Sequence, residues 1–146
     1  MRTRLQMTMR LKPAYAGLAI GLILVVAAAL RLYGLNWDAG QHLHPDERFI
    51  IMVDNGIQWP RSLGEYFNSA QSPLNPYNRG FGNFVYGTLP IFLLKFVATI
   101  LRRDTYDGAL YVGRVLSAVA DVGSVWLLFL AGRRLYGQRV ALLASA

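Results

Sequence analysis

The chain has 146 residues, of which 54% are hydrophobic and only 16% are charged, and its net charge is +7 at neutral pH. This charged fraction lies well below the roughly 25% of soluble domains and excludes intrinsic disorder and a coiled coil. The absence of cysteine excludes disulfides, thiol nucleophiles and cysteine-based zinc sites. A basic chain raises the question of nucleic-acid binding, but these charges cluster between long uncharged segments. We therefore predict a membrane protein that binds no nucleic acid.

The first apolar segment predicts a transmembrane helix over residues 13–35. The 18 residues Pro13 to Leu30 carry no charge, which nearly spans a hydrocarbon core of about 30 Å at about 1.5 Å per residue. A buried core helix or a cleaved signal peptide gives a similar pattern, but this run exceeds the usual signal core and two more apolar segments follow. The preceding residues 1–12 are basic without any acid, so the positive-inside rule places them in the cytoplasm.

The next 48 residues, 36–83, predict a loop on the outer face of the membrane. Its five acids and three bases give a net charge of −2, which is consistent with translocation. Loops of this length usually have a structure or function of their own. Within it, residues 45–56 predict an amphipathic surface helix, because Pro45 suits the first helical position, acids follow it, and Asn55 and Gly56 suit the end.

Two adjacent acids open this helix, and a helical wheel separates them. At 100° per residue, Asp46 falls within the apolar stripe that contains Val53 and Ile57, whereas Glu47 falls on the wetter face beside Asp54. A carboxylate at a packing position tends to have a raised pKa, which suits a general base. The alternative is that both acids only stabilise the helix N-terminus through its dipole.

His42 and His44 precede the two acids and suggest a divalent-metal site. Two histidines with neighbouring carboxylates can bind such an ion, but their spacing matches no specific metal signature. Loop histidines without a metal are the more ordinary interpretation. The chain also has no G-x-S-x-G, Walker A or G-x-G-x-x-G pattern, so serine hydrolase and nucleotide-binding functions have no supporting motif.

Two further spans and the start of a fourth complete the predicted all-α, polytopic membrane fold. The second span covers residues 84–101, a short connection covers 102–113, the third span covers 114–135, and residues 136–146 begin a fourth helix. This arrangement places Arg102 and Arg103 inside. It also places the bases after the third span outside, against the positive-inside rule: Arg133, Arg134 and Arg139.

Lys95 and Asp121 are the only charged residues within the apolar runs of the second and third predicted spans, residues 84–101 and 115–132. Intramembrane charges are candidate functional residues by default. In a helical hairpin that turns near Gly108, both residues lie about 10 Å from the same end, which predicts an ion pair. Alternatively, Lys95 extends to the interface and Asp121 lines a polar crevice.

The order of these features resembles the start of a GT-C membrane glycosyltransferase. The sequence combines a span, an outer Asp-Glu pair, a turn-rich entry to a second span, and the segments Gly113-Arg114-Val115 and Gly132-Arg133-Arg134 around a third. It is most similar to the protein O-mannosyltransferase and lipid A aminoarabinose transferase group. The resemblance extends from Leu18 to the end of the chain.

The resemblance implies a catalytic role for Asp46, with Glu47 as its partner. It also implies a polyprenyl-phosphate-linked sugar as donor, a hydroxyl acceptor on a protein, lipid or glycan, and inverting transfer on the outer face of a prokaryotic plasma membrane. A leaving phosphate needs cations, and the loop has three candidates: Arg48, Arg61 and Arg79. An ordinary role as surface charge near anionic headgroups remains open for each arginine.

The length differs from that of the resembled enzymes, which have many more spans. We therefore expect the chain to be the N-terminal part of a longer enzyme, and we do not expect these 146 residues alone to be active. The competing interpretation is a small non-catalytic membrane subunit, either transporter-like or an assembly protein. Chain length and the two intramembrane charges favour that alternative.

Overall fold

The computed structural model describes residues 13–146, which form helices and no strand. The all-α prediction is confirmed for this part of the chain. The predicted cytoplasmic segment, residues 1–12, lies outside the described residues. The helices are α1 (Pro13–Leu32), α2 (Pro45–Gly56), α3 (Leu63–Phe67), α4 (Thr88–Ile100), α5 (Tyr106–Leu135) and α6 (Gln138–Ser145), with a 3-10 helix at Pro76–Arg79.

The chain divides into two compact units. The span unit contains α1 and residues 117–146, and the loop unit contains residues 34–116. Helix α5 contributes its first part to the loop unit and its remainder to the span unit.

Helices α1 and α5 are long and apolar enough to cross a membrane. The segment Ala14–Leu32 has a mean hydropathy of 2.2, and the 30-residue α5 reaches 1.9. Only 17% of each apolar window is buried within the protein, and side chains such as Leu18 and Leu127 are exposed. The core helix of a soluble protein would bury such a surface, whereas a helix in lipid exposes it.

Helix α4 is too short to confirm the second predicted span, residues 84–101. Its 13 residues extend about 20 Å, less than the hydrocarbon core of about 30 Å. The helix begins only after Gly87, which has a φ of 80°. Its apolar side chains Ile91, Leu94 and Ala98 are buried in the core of the loop unit. Protein packing therefore accounts for much of the apolar pattern from which the span was predicted.

The predicted connection, residues 102–113, is largely helical. Helix α4 ends at Ile100 and is followed by Arg102 at a φ of 56°. The N–H of Arg103 donates to Ala98 O at 2.8 Å, which closes a tight C-terminal turn. The Thr105 hydroxyl then accepts the N–H of Gly108 at 3.1 Å in the first turn of α5. The predicted hairpin turn at Gly108 is therefore wrong, and residues 114–135 form the later part of one longer helix.

Helix α6 lies where the start of a fourth span was predicted, over residues 136–146. Its eight residues extend about 12 Å, so a fourth span is not confirmed. The turn before it uses Gly137 at a φ of 91°. Gly132 of α5 lies against this helix, because a Cβ there would be 3.1 Å from Ala141 Cα. Ala141 joins Ile20 and Phe129 in the small apolar core of the span unit.

The core of the loop unit forms mainly where α2 packs against α4. Ile51 and Val53 of α2 lie in one buried cluster with Leu94 of α4 and Leu110 of α5. Helix α2 occupies the range predicted for the surface helix. Its first turn begins with Pro45, and the N–H of Glu47 donates to Nδ1 of His44 at 3.3 Å. This core fixes both ends of α2, where the polar residues of the candidate site lie.

Candidate functional site

Arg114 connects the start of α2 to the segment that follows α1. Its Nε and Nη2 atoms each donate to the Glu47 carboxylate at 2.7 Å, and Nη1 and Nη2 donate to the Asp38 carboxylate at 3.0 and 2.8 Å. Nη1 also donates to Leu35 O, and the guanidinium lies 5.4 Å from the centre of the Trp37 ring. All five N–H donors of the guanidinium therefore have an acceptor.

This network is buried enough to hold its members in one arrangement. The side chain of Arg114 is 7% exposed, that of Asp38 is 0% exposed and that of Glu47 is 24% exposed. The hydrogen bonds from Arg114, helped by the backbone N–H groups of Leu43 and Gly40, hold the pKa of the Asp38 carboxyl well below its usual range. Glu47 is therefore anchored between α2 and α5 by a paired, charge-assisted contact.

Asp46 and Glu47 have the reverse of their predicted environments. Asp46 is exposed, so the desolvation that its predicted packing position would provide is absent. Glu47 contacts Arg114, and Asp54, predicted beside it on the wetter face, is fully buried. The buried face of α2 differs from the apolar stripe that the helical wheel predicted, because it includes Ile51 and Asp54, whereas Met52 is half-exposed. Asp46 lies in the first turn of α2, where it is exposed.

Tyr86 is the neighbour of the exposed Asp46 carboxylate. A hydrogen bond to Asp46 raises the pKa of the Tyr86 phenol. The ring of Tyr86 lies 6.1 Å from the rings of both Phe49 and Phe84. An exposed carboxylate thus lies beside a phenol and an aromatic cluster, an arrangement that can accept a proton from a hydroxyl group.

The structure does not support a metal site at His42 and His44. His42 is buried, stacks on Tyr106 at 4.2 Å and shares a 3.0 Å hydrogen bond with Asp107 through Nε2. His44 caps α2 through Nδ1. Among residues 13–146, no three histidine or acidic side chains are grouped to hold a metal ion. The two histidines instead stabilise local structure through helix capping and ring stacking.

The three predicted phosphate-binding arginines do not form one cluster. Arg48 is exposed in the first turns of α2. Arg61 and Arg79 line a polar cavity at the other end of this helix, where Nε of Arg79 donates to Gly56 O at 2.8 Å. The ten residues between Asp46 and Gly56 correspond to about 15 Å along a helix. Arg48 is therefore the only one of the three near Asp46.

The predicted ion pair between Lys95 and Asp121 is wrong. The ammonium of Lys95 donates to Asp104 Oδ1 at 2.8 Å and to Asp54 O at 3.0 Å. Asp121 pairs with Arg31 at the end of α1. The prediction failed because α5 begins at Tyr106, so Asp121 lies about 22 Å along α5 from its start, whereas Lys95 lies less than about 10 Å from the end of α4.

Asp54 is buried without the partners that a carboxylate normally has. Its exposed fraction is 0%, and neither carboxylate oxygen accepts a hydrogen bond from any described residue. Burial raises the pKa of Asp54 to about 6, although the positive charge of Lys95 partly opposes this effect. This acid titrates near neutral pH but lies away from Asp46, towards the last turn of α2.

Three residues of the site were not predicted as site residues: Asp38, Tyr86 and Arg114. Arg114 was visible as a charge next to an apolar segment, but its partners lie 67 and 76 positions earlier in the chain. No local period relates such distant residues. Comparison of the chain with protein-family models, with curated proteins and with solved structures finds no match.

Proposed function

We propose that this chain belongs to a membrane glycosyltransferase in which Asp46 is the general base. The observation that carries the proposal is the difference between two adjacent acids in one helical turn. Glu47 is held by Arg114, whereas Asp46 is exposed beside Tyr86. An anchored helix start that presents one solvent-exposed carboxylate suits proton removal from an acceptor hydroxyl.

The proposed reaction transfers a sugar from a polyprenyl phosphate to a hydroxyl group with inversion. Asp46 takes the proton of the acceptor hydroxyl. The hydroxyl oxygen of the acceptor attacks the anomeric carbon from the side opposite the phosphate. The bond from that carbon to the phosphate oxygen breaks, and the electron pair leaves with the lipid phosphate. Arg48 lies close enough in sequence to stabilise this leaving group, whereas Arg61 and Arg79 lie about 15 Å further along the helix.

A two-span arrangement suits this proposal better than three spans. Arg31, near the end of α1, pairs with Asp121 of α5, while Ile20 shares a cluster with Phe129 further along α5. The two helices are therefore antiparallel within the span unit. With the N-terminus inside, α5 runs inward and Arg133 ends on the cytoplasmic side.

This orientation removes the conflict in the predicted charge distribution. The bases near the end of α5 lie inside, together with the basic N-terminal residues, as the positive-inside rule favours. The whole loop unit, including α4, then lies on the outer face with Asp46. The placement rests on the shortness of α4, the antiparallel helices and the charges at their ends.

Asp46→Asn should test the catalytic role. We expect sugar transfer from a polyprenyl-phosphate donor in membranes to fall by about 10²–10⁴-fold, the usual contribution of a general base. The measurement is incorporation of labelled sugar into the acceptor by the full protein, with the amount of inserted protein determined by immunoblot.

Asp107→Asn is the matched control, since it neutralises another exposed acid of the loop unit and keeps an oxygen that can contact His42. It should transfer sugar at the rate of the unmodified protein. Full activity of Asp46→Asn would remove Asp46 from the mechanism. That result would also favour the alternative function, a non-catalytic membrane subunit.

Single-cysteine labelling should test the two-span arrangement, because the chain has no native cysteine. A membrane-impermeant maleimide should label Ser69→Cys and Arg103→Cys in intact cells, but Tyr136→Cys only after permeabilisation. All three positions are exposed in the structure. The opposite result at the last two positions, with Ser69→Cys still labelled, would support three spans and contradict the proposed arrangement.

A further inference from the structure

A second polar cavity lies in the loop unit, near the last turn of α2. It has a volume of about 240 Å³, opens to the surface, and is lined by the segment after α2, by α3, by the segment after α3 and by the 3-10 helix. Cavities for drug-sized ligands usually measure about 300–1,000 Å³. This one therefore suits a small polar molecule or a headgroup.

Two guanidinium groups give the cavity an excess of positive charge. Arg61 and Arg79 both line it, against the single acid Glu65. The side chain of Arg61 has no hydrogen-bond acceptor among residues 13–146, and that of Arg79 uses only Nε, on Gly56 O. Glu65 accepts the backbone N–H of Arg61 at 2.5 Å and forms no ion pair with any described residue. Unused guanidinium donors outnumber the acceptors, which favours an oxyanion.

The walls of the cavity are held by hydrogen bonds that the lining residues make with one another and with neighbouring segments. Asn78 Nδ2 donates to the carbonyl oxygens of Ser69 and Ser72, each at 3.0 Å, and Trp59 Nε1 donates to Thr99 Oγ1 at 3.0 Å. The backbone N–H of Gln58 donates to Pro73 O at 3.0 Å. A site whose walls are already ordered loses less conformational entropy when a ligand binds.

The remaining lining groups indicate what accompanies the anion. Gln58 and Gln71 contribute side-chain amides, each of which can donate to and accept from hydroxyl groups. We propose that the cavity binds a phosphate ester of a small polyhydroxyl compound, with Arg61 and Arg79 on the phosphate and the amides on the hydroxyls. The ligand is either the glycerol phosphate headgroup of an anionic lipid or the same group in soluble form.

This site is separate from the one assigned to the donor phosphate. About 15 Å along α2 divides it from Asp46, too far for a phosphate that leaves the carbon attacked next to that carboxylate. The proposal therefore does not depend on glycosyl transfer. It holds even if Asp46→Asn retains full activity.

Titration calorimetry of the full chain in detergent tests the site, with glycerol 3-phosphate and inorganic phosphate as probes. We expect Arg61→Gln and Arg79→Gln each to weaken glycerol 3-phosphate binding by about 10–100-fold, the effect of losing a charged hydrogen bond. Arg103→Gln is the matched control, because it removes the same charge from an exposed position of the same loop unit outside the cavity. It should leave the affinity unchanged.

The source of the phosphate is resolved with vesicles. A lipid headgroup is identified if the protein binds phosphatidylglycerol vesicles more tightly than phosphatidylcholine vesicles and Arg61→Gln removes this preference. A soluble ester is identified if the protein binds glycerol 3-phosphate but shows no preference between the vesicles. Gln71→Leu, a neutral change, should weaken glycerol 3-phosphate more than inorganic phosphate. Equal binding by Arg61→Gln, Arg79→Gln and the unmodified protein would overturn the proposal, as would an equal loss with Arg103→Gln. No binding of either probe or vesicle to a correctly folded protein would also overturn it.

Discussion

The two ends of α2 both bury an acid close to a cation, with different results. At the first turn, Arg114 donates to both oxygens of Asp38 and both of Glu47. At the last turn, Lys95 donates to the backbone of Asp54 and to Asp104, while the Asp54 carboxylate has no partner in the described chain. The pKa of Asp38 is lowered as a result, whereas that of Asp54 is raised to about 6.

The difference shows that nearness to a positive charge does not by itself stabilise a buried carboxylate. The planar guanidinium of Arg114 has five donors that point in fixed directions and can serve two carboxylates at once. The ammonium of Lys95 is a compact charge with three donors, and two acceptors other than the Asp54 carboxylate occupy it. Hydrogen-bond geometry therefore decides which acid is stabilised in its ionised form.

Arg114→Ala removes the cation that pairs with Asp38 and Glu47 at the first turn of α2, and it should have the largest effect on stability. It would leave Asp38 and Glu47 buried or half-buried without their cation, which typically costs about 3–5 kcal/mol. The free energy of unfolding can be measured in detergent by circular dichroism with increasing denaturant. Arg134→Ala, an exposed arginine of the same helix, is the matched control and should change stability by less than about 0.5 kcal/mol. Equal losses in the two variants would contradict a structural role for the Arg114 network.

Asp54→Asn tests the last turn of α2, where the buried carboxylate has no hydrogen-bond partner, through the dependence of stability on pH. The folded protein holds the Asp54 proton up to a pKa of about 6, whereas the unfolded chain releases it near the ordinary aspartate pKa of 3.8. The contribution of this retained proton to the free energy of unfolding is therefore fully present below about pH 4 and is lost as the pH rises through about 6. The loss amounts to about 3 kcal/mol.

The asparagine variant does not titrate in this range. Its unfolding free energy relative to the unmodified protein should therefore rise by up to about 3 kcal/mol between pH 4 and pH 7. Asp107→Asn, which changes an exposed acid, is the control and should show a much smaller change. A constant difference between Asp54→Asn and the unmodified protein across this range would show that Asp54 does not retain its proton on folding.

Local patterns predicted the helices well where they depend on local signals. Pro45, the following acids and Asn55-Gly56 gave the range of α2, since caps and breakers act within a few residues. The apolar run of α1 likewise predicted a helix long enough to span a membrane. Apolar composition was less informative for α4, because burial in protein and exposure to lipid select similar side chains.

The candidate site was only partly predictable. Asp46 and Glu47 are adjacent in the sequence, so their proximity was certain, but their environments were reversed. Burial depends on which face the rest of the fold covers, and α4 and α5 come 40 to 70 residues later in the chain. The separation of Arg48 from Arg61 and Arg79 also follows from how the loop folds back on the end of α2.

The sequence by itself determined that this is an apolar, helical, cysteine-free chain with a pair of adjacent acids and basic residues near the ends of its apolar segments. These properties follow from composition and from periods of a few residues. Only the tertiary structure decided that Glu47 is held and Asp46 is exposed, that Lys95 and Asp121 have separate partners, and that two helices rather than three are long enough to span. Each of these outcomes depends on contacts between distant segments, because hydrogen bonds and burial require proximity in space, which no local sequence pattern encodes.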